Sequence, residues 1–382
     1  MQEILIDVTR LVGRVLMKGR LPTGVDRVSL AYVAHYGQRA RAVVRLGRRL
    51  LVLAPSASRA VFDQLLNPGP RFNRIIAAKI ARAGWNWPRR LDHAVLFNTG
   101  HSGLEIPSYS SSLQRQGVSP VFLVHDLIPI SHPEYCRAGE LERHQRRMDT
   151  ALKISRGLIA NSRETLEALQ SYADKRGWPL PPAIAAHLAP PSLPAPGSDP
   201  VGKPYFVTLG TIEPRKNHWM LLQVWRRLIE RFGSDAPQLV IVGQRGWECE
   251  NVVDLLERGE HLREHVIELP RCSDTQLATY LHHAQALLFP SFAEGYGLPL
   301  VEALSVGTPV IASNLPVFKE TAGDIPDYLD PLDGLGWLSL IEAYTAAGSA
   351  MRKAQCRRMQ KFVPSSWRDH FEQVDAFIER LP

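Results

Sequence analysis

Glu294 and Glu302 stand with seven residues between them in Phe292-Ala293-Glu294-Gly295-Tyr296-Gly297-Leu298-Pro299-Leu300-Val301-Glu302-Ala303-Leu304. An apolar run, Ala286–Pro290, reads as a buried strand leading into this stretch. An acidic residue, two glycines and a helix starting at about Pro299 follow. Proline suits a first helical turn, with its fixed φ and missing N–H. A carboxylate and helix-terminal N–H groups are thus offered at the C-terminal end of a strand, where open α/β sheets bind ligands. Glu302 lies about one turn into the helix, so both carboxylates can address one ligand.

Cations come from a second segment. Tyr205–Leu209 reads as a strand and runs into Gly210-Thr211-Ile212-Glu213-Pro214-Arg215-Lys216-Asn217. A helix is expected from about Asn217 or His218. Two cations beside a helix N-terminus make a site for a diphosphate. The plainer alternative is a solvated loop, because charges before helices are common. A further strand, Gln238–Val242, ends in Gly243-Gln244-Arg245-Gly246-Trp247, whose glycines predict a loop facing the same cleft. It is not the three-glycine dinucleotide fingerprint, and no phosphate-binding loop ending in Gly-Lys-Ser/Thr occurs. Those absences weigh against a nicotinamide-linked oxidoreductase and a nucleotide triphosphatase.

Earlier in the chain, the apolar strand Val121–His125 brings His125 and Asp126 to its C-terminal end. An imidazole beside a carboxylate suits proton handling or hydrogen bonding to a substrate. The plainer alternative is a structural pair capping the loop. Gly24, in Leu21-Pro22-Thr23-Gly24-Val25-Asp26-Arg27-Val28, allows close approach of backbone to a ligand, or merely a turn. His101, in Asn98-Thr99-Gly100-His101-Ser102-Gly103, either faces the cleft or is a hydrogen-bonded structural histidine. No Asp-x-Asp motif and no metal-ligand spacing appears, so neither a metal nor a cofactor is expected. Arg215, Lys216 and helix N-termini would neutralise a leaving diphosphate instead.

These residues must be held by something. At 382 residues the chain has room for two domains, and its 45% hydrophobic content is ordinary for a globular protein. Candidate strands are Ile4–Val8, Leu50–Leu53, Ala94–Asn98, Val121–His125 and Gly157–Ala160, then Tyr205–Leu209, Gln238–Val242, Val266–Leu269, Ala286–Pro290 and Pro309–Ala312. Their alternation with helical stretches predicts βαβ units and parallel sheets. Between the series, five of the twelve residues Ala189–Pro200 are proline, which reads as a linker. The expected division is residues 1–199, 200–365 and a C-terminal helix over 366–382.

Residues 1–100 hold 17 Lys+Arg against 5 Asp+Glu, whereas the rest of the chain is net acidic. So basic a first part points to an anionic partner. The segment 71–90 mixes cations, apolar residues and two tryptophans; it reads either as a membrane-surface helix or as an amphipathic helix packed on the sheet. No recognisable nucleic-acid-binding motif accompanies the charge, so a nucleic-acid partner is not expected. The start of the chain lacks signal-peptide character, no run approaches the roughly 20 apolar residues of a membrane span, and the four cysteines are scattered. The expected location is the cytoplasm, with the inner membrane face as an alternative.

In order, the Gly210–Lys216 loop, the Gly243–Trp247 turn, the Glu-x7-Glu element and Ile311-Ala312-Ser313-Asn314-Leu315-Pro316 with Glu320–Asp324 resemble the retaining glycosyltransferases of family four. The resemblance covers most of the chain and is strongest from about Tyr205 to Asp333. It implies the GT-B fold: two Rossmann-like parallel-sheet domains facing a central cleft, with the C-terminal helix packing back on the first. It implies a nucleotide-sugar donor on the second domain and a lipid-linked or oligosaccharide acceptor on the first. Glu294 would bind donor sugar hydroxyls. The backbone of Gly295, Tyr296, Gly297 and Leu298 would meet the sugar and diphosphate, and Glu302 would bind the ribose. Arg215 and Lys216 would hold the diphosphate, with His125 and Asp126 over the sugar. Gly24 would lie near the phosphates, although many members have two glycines there. The Thr-Gly-Val-Asp-Arg-Val and His-Asp-Leu-Ile-Pro segments are similar to bacterial mannosyltransferases of surface-polysaccharide assembly, which implies GDP-mannose.

Overall fold

The computed structural model describes residues 3–16, 23–47, 49–69, 72–83, 91 and 94–381. One sheet is built from β1 (Ile4–Asp7), β2 (Ala40–Leu46), β3 (Arg49–Val52), β4 (Val95–Asn98), β5 (Ser119–Val124), β6 (Gly157–Ala160) and β7 (Ala183–Ala185). Its strand order is β3-β2-β1-β4-β5-β6-β7, parallel except where β3 pairs antiparallel with β2. The other sheet holds β8 (Tyr205–Leu209), β9 (Gln238–Val242), β10 (Val266–Leu269), β11 (Leu287–Phe289), β12 (Val310–Ser313) and β13 (Asp327–Leu329). It is parallel throughout, in the order β10-β9-β8-β11-β12-β13. Central strands such as β1, β4, β8 and β12 are buried at every residue. That accounts for their unbroken apolar runs: parallel strands are covered on both faces. In each sheet the strand order reverses once, between β1 and β4 and between β8 and β11. Those reversals are where ligands enter open α/β sheets.

All ten expected strands are present. β2, β7 and β13 were not anticipated. β2 carries Arg41 and Arg45 inside its apolar run. β7 and β13 are three-residue edge strands with half-buried residues, too short to show alternation.

The chain forms two compact units: Met1–Ile130 with Gly139–Leu188 and Trp367–Pro382, and Ser131–Ala138 with Ala189–Ser366. The division falls between Leu188 and Ala189, at the start of the proline-rich stretch rather than at its end near residue 200. The segment Ser131–Ala138 belongs to the second unit although its neighbours on both sides belong to the first. The C-terminal helix Trp367–Arg380 packs in the first unit. There Phe371 stacks on His35 at 3.9 Å between centroids, and the Tyr36 hydroxyl donates to Asp375 Oδ1 at 2.9 Å. Gly157 in β6 is required by this packing, since a Cβ would sit 2.8 Å from the Phe377 ring.

Of the basic 71–90 segment, the helix Phe72–Ala83 is described; residues 71 and 84–90 lie outside the described residues. The helix buries Phe72 and Ile76 and packs against the helix Pro55–Leu66. Its exposed positions are Asn73, Arg74, Ala77, Ala78, Ala81 and Arg82, so its largest apolar residues face inward. Among the described residues no helix is long and apolar enough to cross a membrane.

Candidate functional site

In the second unit the loops after β8 and β11 meet at the reversal of strand order. Lys216 Nζ lies 2.5 Å from Glu294 Oε1, and Arg215 Nη1 lies 2.9 Å from Glu294 Oε2. Arg215 Nε also pairs with Glu213 Oε1 at 2.6 Å, and Arg215 Nη1 donates to the Ala293 carbonyl at 3.0 Å. The Phe292 N–H donates to the Arg215 carbonyl at 2.8 Å, which joins the two loops by backbone. Two carboxylates and two cations are thus packed together, with the Lys216 and Glu294 side chains each 8% exposed. The solvated-loop alternative for Arg215 and Lys216 is thereby excluded.

Burial opposes ionisation of Glu294 most strongly. Arg215 and Lys216 outweigh it and hold the carboxyl down at about 2. Glu213, equally sheltered but less well compensated, is raised, with burial the main cause. Burial also lowers Lys216, and the neighbouring Glu294 offsets it in part. Glu294 is therefore a fixed anion at neutral pH. It can accept hydrogen bonds from hydroxyl groups but cannot serve as a proton donor.

The helix expected from about Pro299 runs from Leu298 to Ser305, with Gly297 just before it at φ +89°. A Cβ on Gly297 would also meet the Phe318 ring at 2.7 Å, so both backbone angle and space require glycine there. Gly295, Tyr296, Gly297 and Leu298 therefore form a tight turn delivering the helix N-terminus directly after Glu294. Glu302 lies on this helix, 8% exposed.

In the first unit the turn after β5 carries His125 and Asp126, but they do not pair with each other. His125 Nε2 donates to the Thr99 carbonyl at 2.7 Å, while Asp126 Oδ1 accepts from the Ile128 N–H at 3.1 Å. His101 Nε2 is 2.8 Å from the Leu123 carbonyl and His144 Nε2 is 3.1 Å from the Asp126 carbonyl. Since a carbonyl only accepts, each ring must carry its proton on Nε2. The centroids of His101 lie 5.5 Å from His125 and 6.0 Å from His144. Burial is the largest influence on all three and lowers each of them below the ordinary imidazole value of 6.5. His125 is accordingly neutral at pH 7 and presents Nδ1 as an acceptor. His101, with φ +57°, is a hydrogen-bonded structural histidine.

Gly24 is the first residue of the helix Gly24–Tyr36. Asp26, 2% exposed, fixes the turn before it: its Oδ2 accepts from the Thr23 N–H (2.8 Å) and hydroxyl (2.7 Å). Arg10 and Arg14 each reach the same carboxylate at 2.8 Å. Among the described residues no three His, Cys, Asp or Glu side chains are grouped to hold a metal ion.

The imidazole cluster has a consequence for stability. The unfolded chain takes up protons near pH 6.5, whereas the folded first unit resists them. His370, lowered to about 4 mainly by burial, behaves alike. Stability should be full above about pH 6.5 and fall below it, by at most about 1.4 kcal/mol per pH unit for each group. Calorimetry between pH 7.5 and 5 should show the melting temperature dropping, and His144→Asn should flatten the slope. A flat profile in the parent protein would contradict the assignment.

Residues 193–325, which hold β8 to β12 and the Glu294 cluster, match the family model of the glycosyl transferases group 1. The match covers about a third of the chain. The serotype-specific mannosyltransferase WbdA of Escherichia coli is 31% identical over 241 residues, covering 59% of this chain and 29% of WbdA. The Escherichia coli O-antigen chain mannosyltransferase B is 40% identical over 130 residues, covering 34% of this chain and 33% of the relative. This chain thus spans about a third of the length of these curated relatives. Among solved structures, Anabaena HepE in complex with UDP and glucose superposes with a TM-score of 0.67 at 16% identity, over 100% of both chains. The sucrose-phosphate synthase of Thermosynechococcus elongatus gives 0.64 at 17% identity, over 100% of this chain and 99% of the other. Likeness at that identity concerns the fold, which is GT-B.

The matched segment brings Arg215, Lys216 and Glu294 into direct contact, with Gly295–Leu298 and Glu302 continuing from them. His125, Asp126 and Gly24 belong to the first unit. Sequence reading missed Glu213, whose only signal was its place two residues before Arg215. It also missed Asn161, whose Nδ2 donates to the His125 carbonyl at 2.9 Å. It did not foresee His144 beneath Asp126 either. Both of these partners come from distant parts of the chain with no motif of their own.

Proposed function

We propose that this chain is a retaining glycosyltransferase that moves mannose from GDP-mannose to a lipid-linked or oligosaccharide acceptor in bacterial polysaccharide assembly in the cytoplasm. The observation that carries the reading is the buried, ionised Glu294 held by Arg215 and Lys216 at the strand reversal of the second unit. The names of the mannosyltransferase relatives support the sugar.

In this reading Glu294 accepts hydrogen bonds from donor sugar hydroxyls, and Glu302 from the ribose. Lys216 has three N–H donors, of which Glu294 occupies one. The others, with Arg215 and the helix N-terminus at Leu298, stabilise charge on the departing diphosphate, so no metal is required. The acceptor hydroxyl attacks the anomeric carbon on the face from which the diphosphate leaves. The new carbon–oxygen bond forms as the bond to phosphate breaks, and the acceptor's proton passes to a phosphate oxygen. No carboxylate is assigned as a covalent nucleophile. His125, neutral and bare at Nδ1, accepts a hydrogen bond from the sugar rather than delivering a proton.

A thermal-shift series across GDP-mannose, other GDP-sugars, UDP-sugars and dTDP-sugars tests the donor. GDP-mannose at a hundredfold excess over its Kd should stabilise the protein by about 2.7 kcal/mol. Turnover of that donor in EDTA, with the anomeric configuration of the product read by NMR, tests metal independence and retention. A larger shift with a UDP-sugar, which HepE binds in its solved complex, would transfer the reading to that donor class.

A further inference from the structure

The chain leaves the first unit after Ile130 and returns to it at Gly139, and the eight residues between are part of the second unit. What this segment touches there is specific. The Tyr135 ring stacks on Phe292, centroids 5.3 Å apart and planes within 11°. His132 covers Tyr135 with centroids 5.9 Å apart and planes within 13°. Trp247 Nε1 donates to the Tyr135 carbonyl at 3.3 Å, and the Arg137 guanidinium lies 4.8 Å from the Trp247 ring centroid.

Each of these partners belongs to a loop of the candidate site. Phe292 is two residues before Glu294, and its N–H is bonded to the Arg215 carbonyl. Trp247 closes the turn after β9, and the Gly246 N–H in that turn donates to the Ile212 carbonyl at 3.0 Å. One segment therefore grips two loops that are each tied by backbone to the stretch carrying Arg215 and Lys216. The reading above assigns none of these residues a contact with the reacting atoms.

We propose that Tyr135 is a positioning residue of the donor site: its stack on Phe292 fixes the loop that presents Glu294. The proposal rests on the donor-site reading of the Glu294 cluster, but its central consequence, a stiffened loop, does not depend on which donor binds. An aromatic stack contributes enough to restrain a loop by about fivefold to tenfold. The phenol hydroxyl plays no part in the stack, so phenylalanine should serve equally.

The test has two arms. In the protein without added nucleotide, amide hydrogen exchange over residues 291–298 should quicken about fivefold to tenfold in Tyr135→Ala and stay at the parent rate in Tyr135→Phe. With GDP-mannose as the probe, Tyr135→Ala should raise the donor KM by a similar factor, with kcat much less affected, and Tyr135→Phe should restore it. Parent-like exchange in Tyr135→Ala overturns the proposal, as does a Tyr135→Phe variant that behaves like alanine. Should the parent protein turn over none of the nucleotide sugars, the glycosyltransferase reading fails while the exchange arm still decides the role of Tyr135.

Discussion

Glu294→Gln is expected to lose about a hundredfold to a thousandfold in transfer while still melting as a cooperative unit. Glutamine keeps the volume and one acceptor oxygen, so packing around the loop survives. What it removes is the charge that Arg215 and Lys216 hold ionised, the strongest acceptor available to a sugar hydroxyl. Charge-assisted hydrogen bonds are roughly twice as strong as neutral ones, and the loss grows in a site with little water. Lys216 would also change: burial already lowers it, and Glu294 is the largest opposing influence. Without that carboxylate its ammonium would be held less well for the departing diphosphate. Glu294→Ala is harsher, because it removes the acceptor oxygen and the side-chain volume as well as the charge, and a buried cation left with no partner group at all costs about 3–5 kcal/mol. The melting temperatures of the two variants therefore separate chemistry from folding. Donor kcat/KM measured beside a thermal melt reads both. Parent-like turnover in either variant would remove Glu294 from the mechanism.

Much of this site could be read before any coordinates, and the reason is local. Glu294, Gly297 and Pro299 are fixed relative to one another by a turn and a helix start, both of which leave marks in sequence. The same holds for Gly210, Arg215 and Lys216 after β8. Long-range geometry left no such marks. That Lys216 is buried against Glu294 rather than solvated depends on β8 and β11 being neighbours. Sequence order alone does not dictate that pairing, because β9 and β10 intervene in the chain. The tautomers of His101, His125 and His144 depend on which carbonyl each ring meets, and those carbonyls come from Leu123, Thr99 and Asp126. The expected boundary near residue 200 and the change of contacts at Leu188–Ala189 differ because prolines mark where regular structure stops. They do not mark where contacts change sides, and the excursion of Ser131–Ala138 carries no compositional signal at all.

Gly243→Ala should disable the second unit altogether, and the reason is space rather than backbone angle. Its φ lies outside the left-handed region, yet a Cβ would be 1.9 Å from the Gly210 carbonyl oxygen and 2.6 Å from its carbon. Both are backbone atoms, so no side-chain rotation relieves the contact. The two glycines stand where β8 and β9 end and their ladder continues into the loops. Gly210 N–H donates to Val242 at 3.0 Å, Gly243 N–H to Leu269 at 3.0 Å and Ile212 N–H to Gln244 at 2.9 Å. Separating the chains to admit a methyl group breaks this run and carries Gly210 with it. Gly210, at φ +134°, itself has room for no more than the Lys216 side chain, whose Cε would be 3.1 Å from a Cβ there. The displacement is thus transmitted to the residue that pairs with Glu294. Overpacking costs about 1–3 kcal/mol where side chains can yield and more where only backbone can. Against a total stability of about 5–15 kcal/mol, a large fall in melting temperature follows, with donor stabilisation lost alongside. Gly307→Ala is the control. Its φ is +81° with nothing within 4 Å of a Cβ, so it should carry only the left-handed penalty of about 1–2 kcal/mol. If calorimetry finds Gly243→Ala no less stable than Gly307→Ala, the close approach of the two loops is not what holds Lys216 against Glu294.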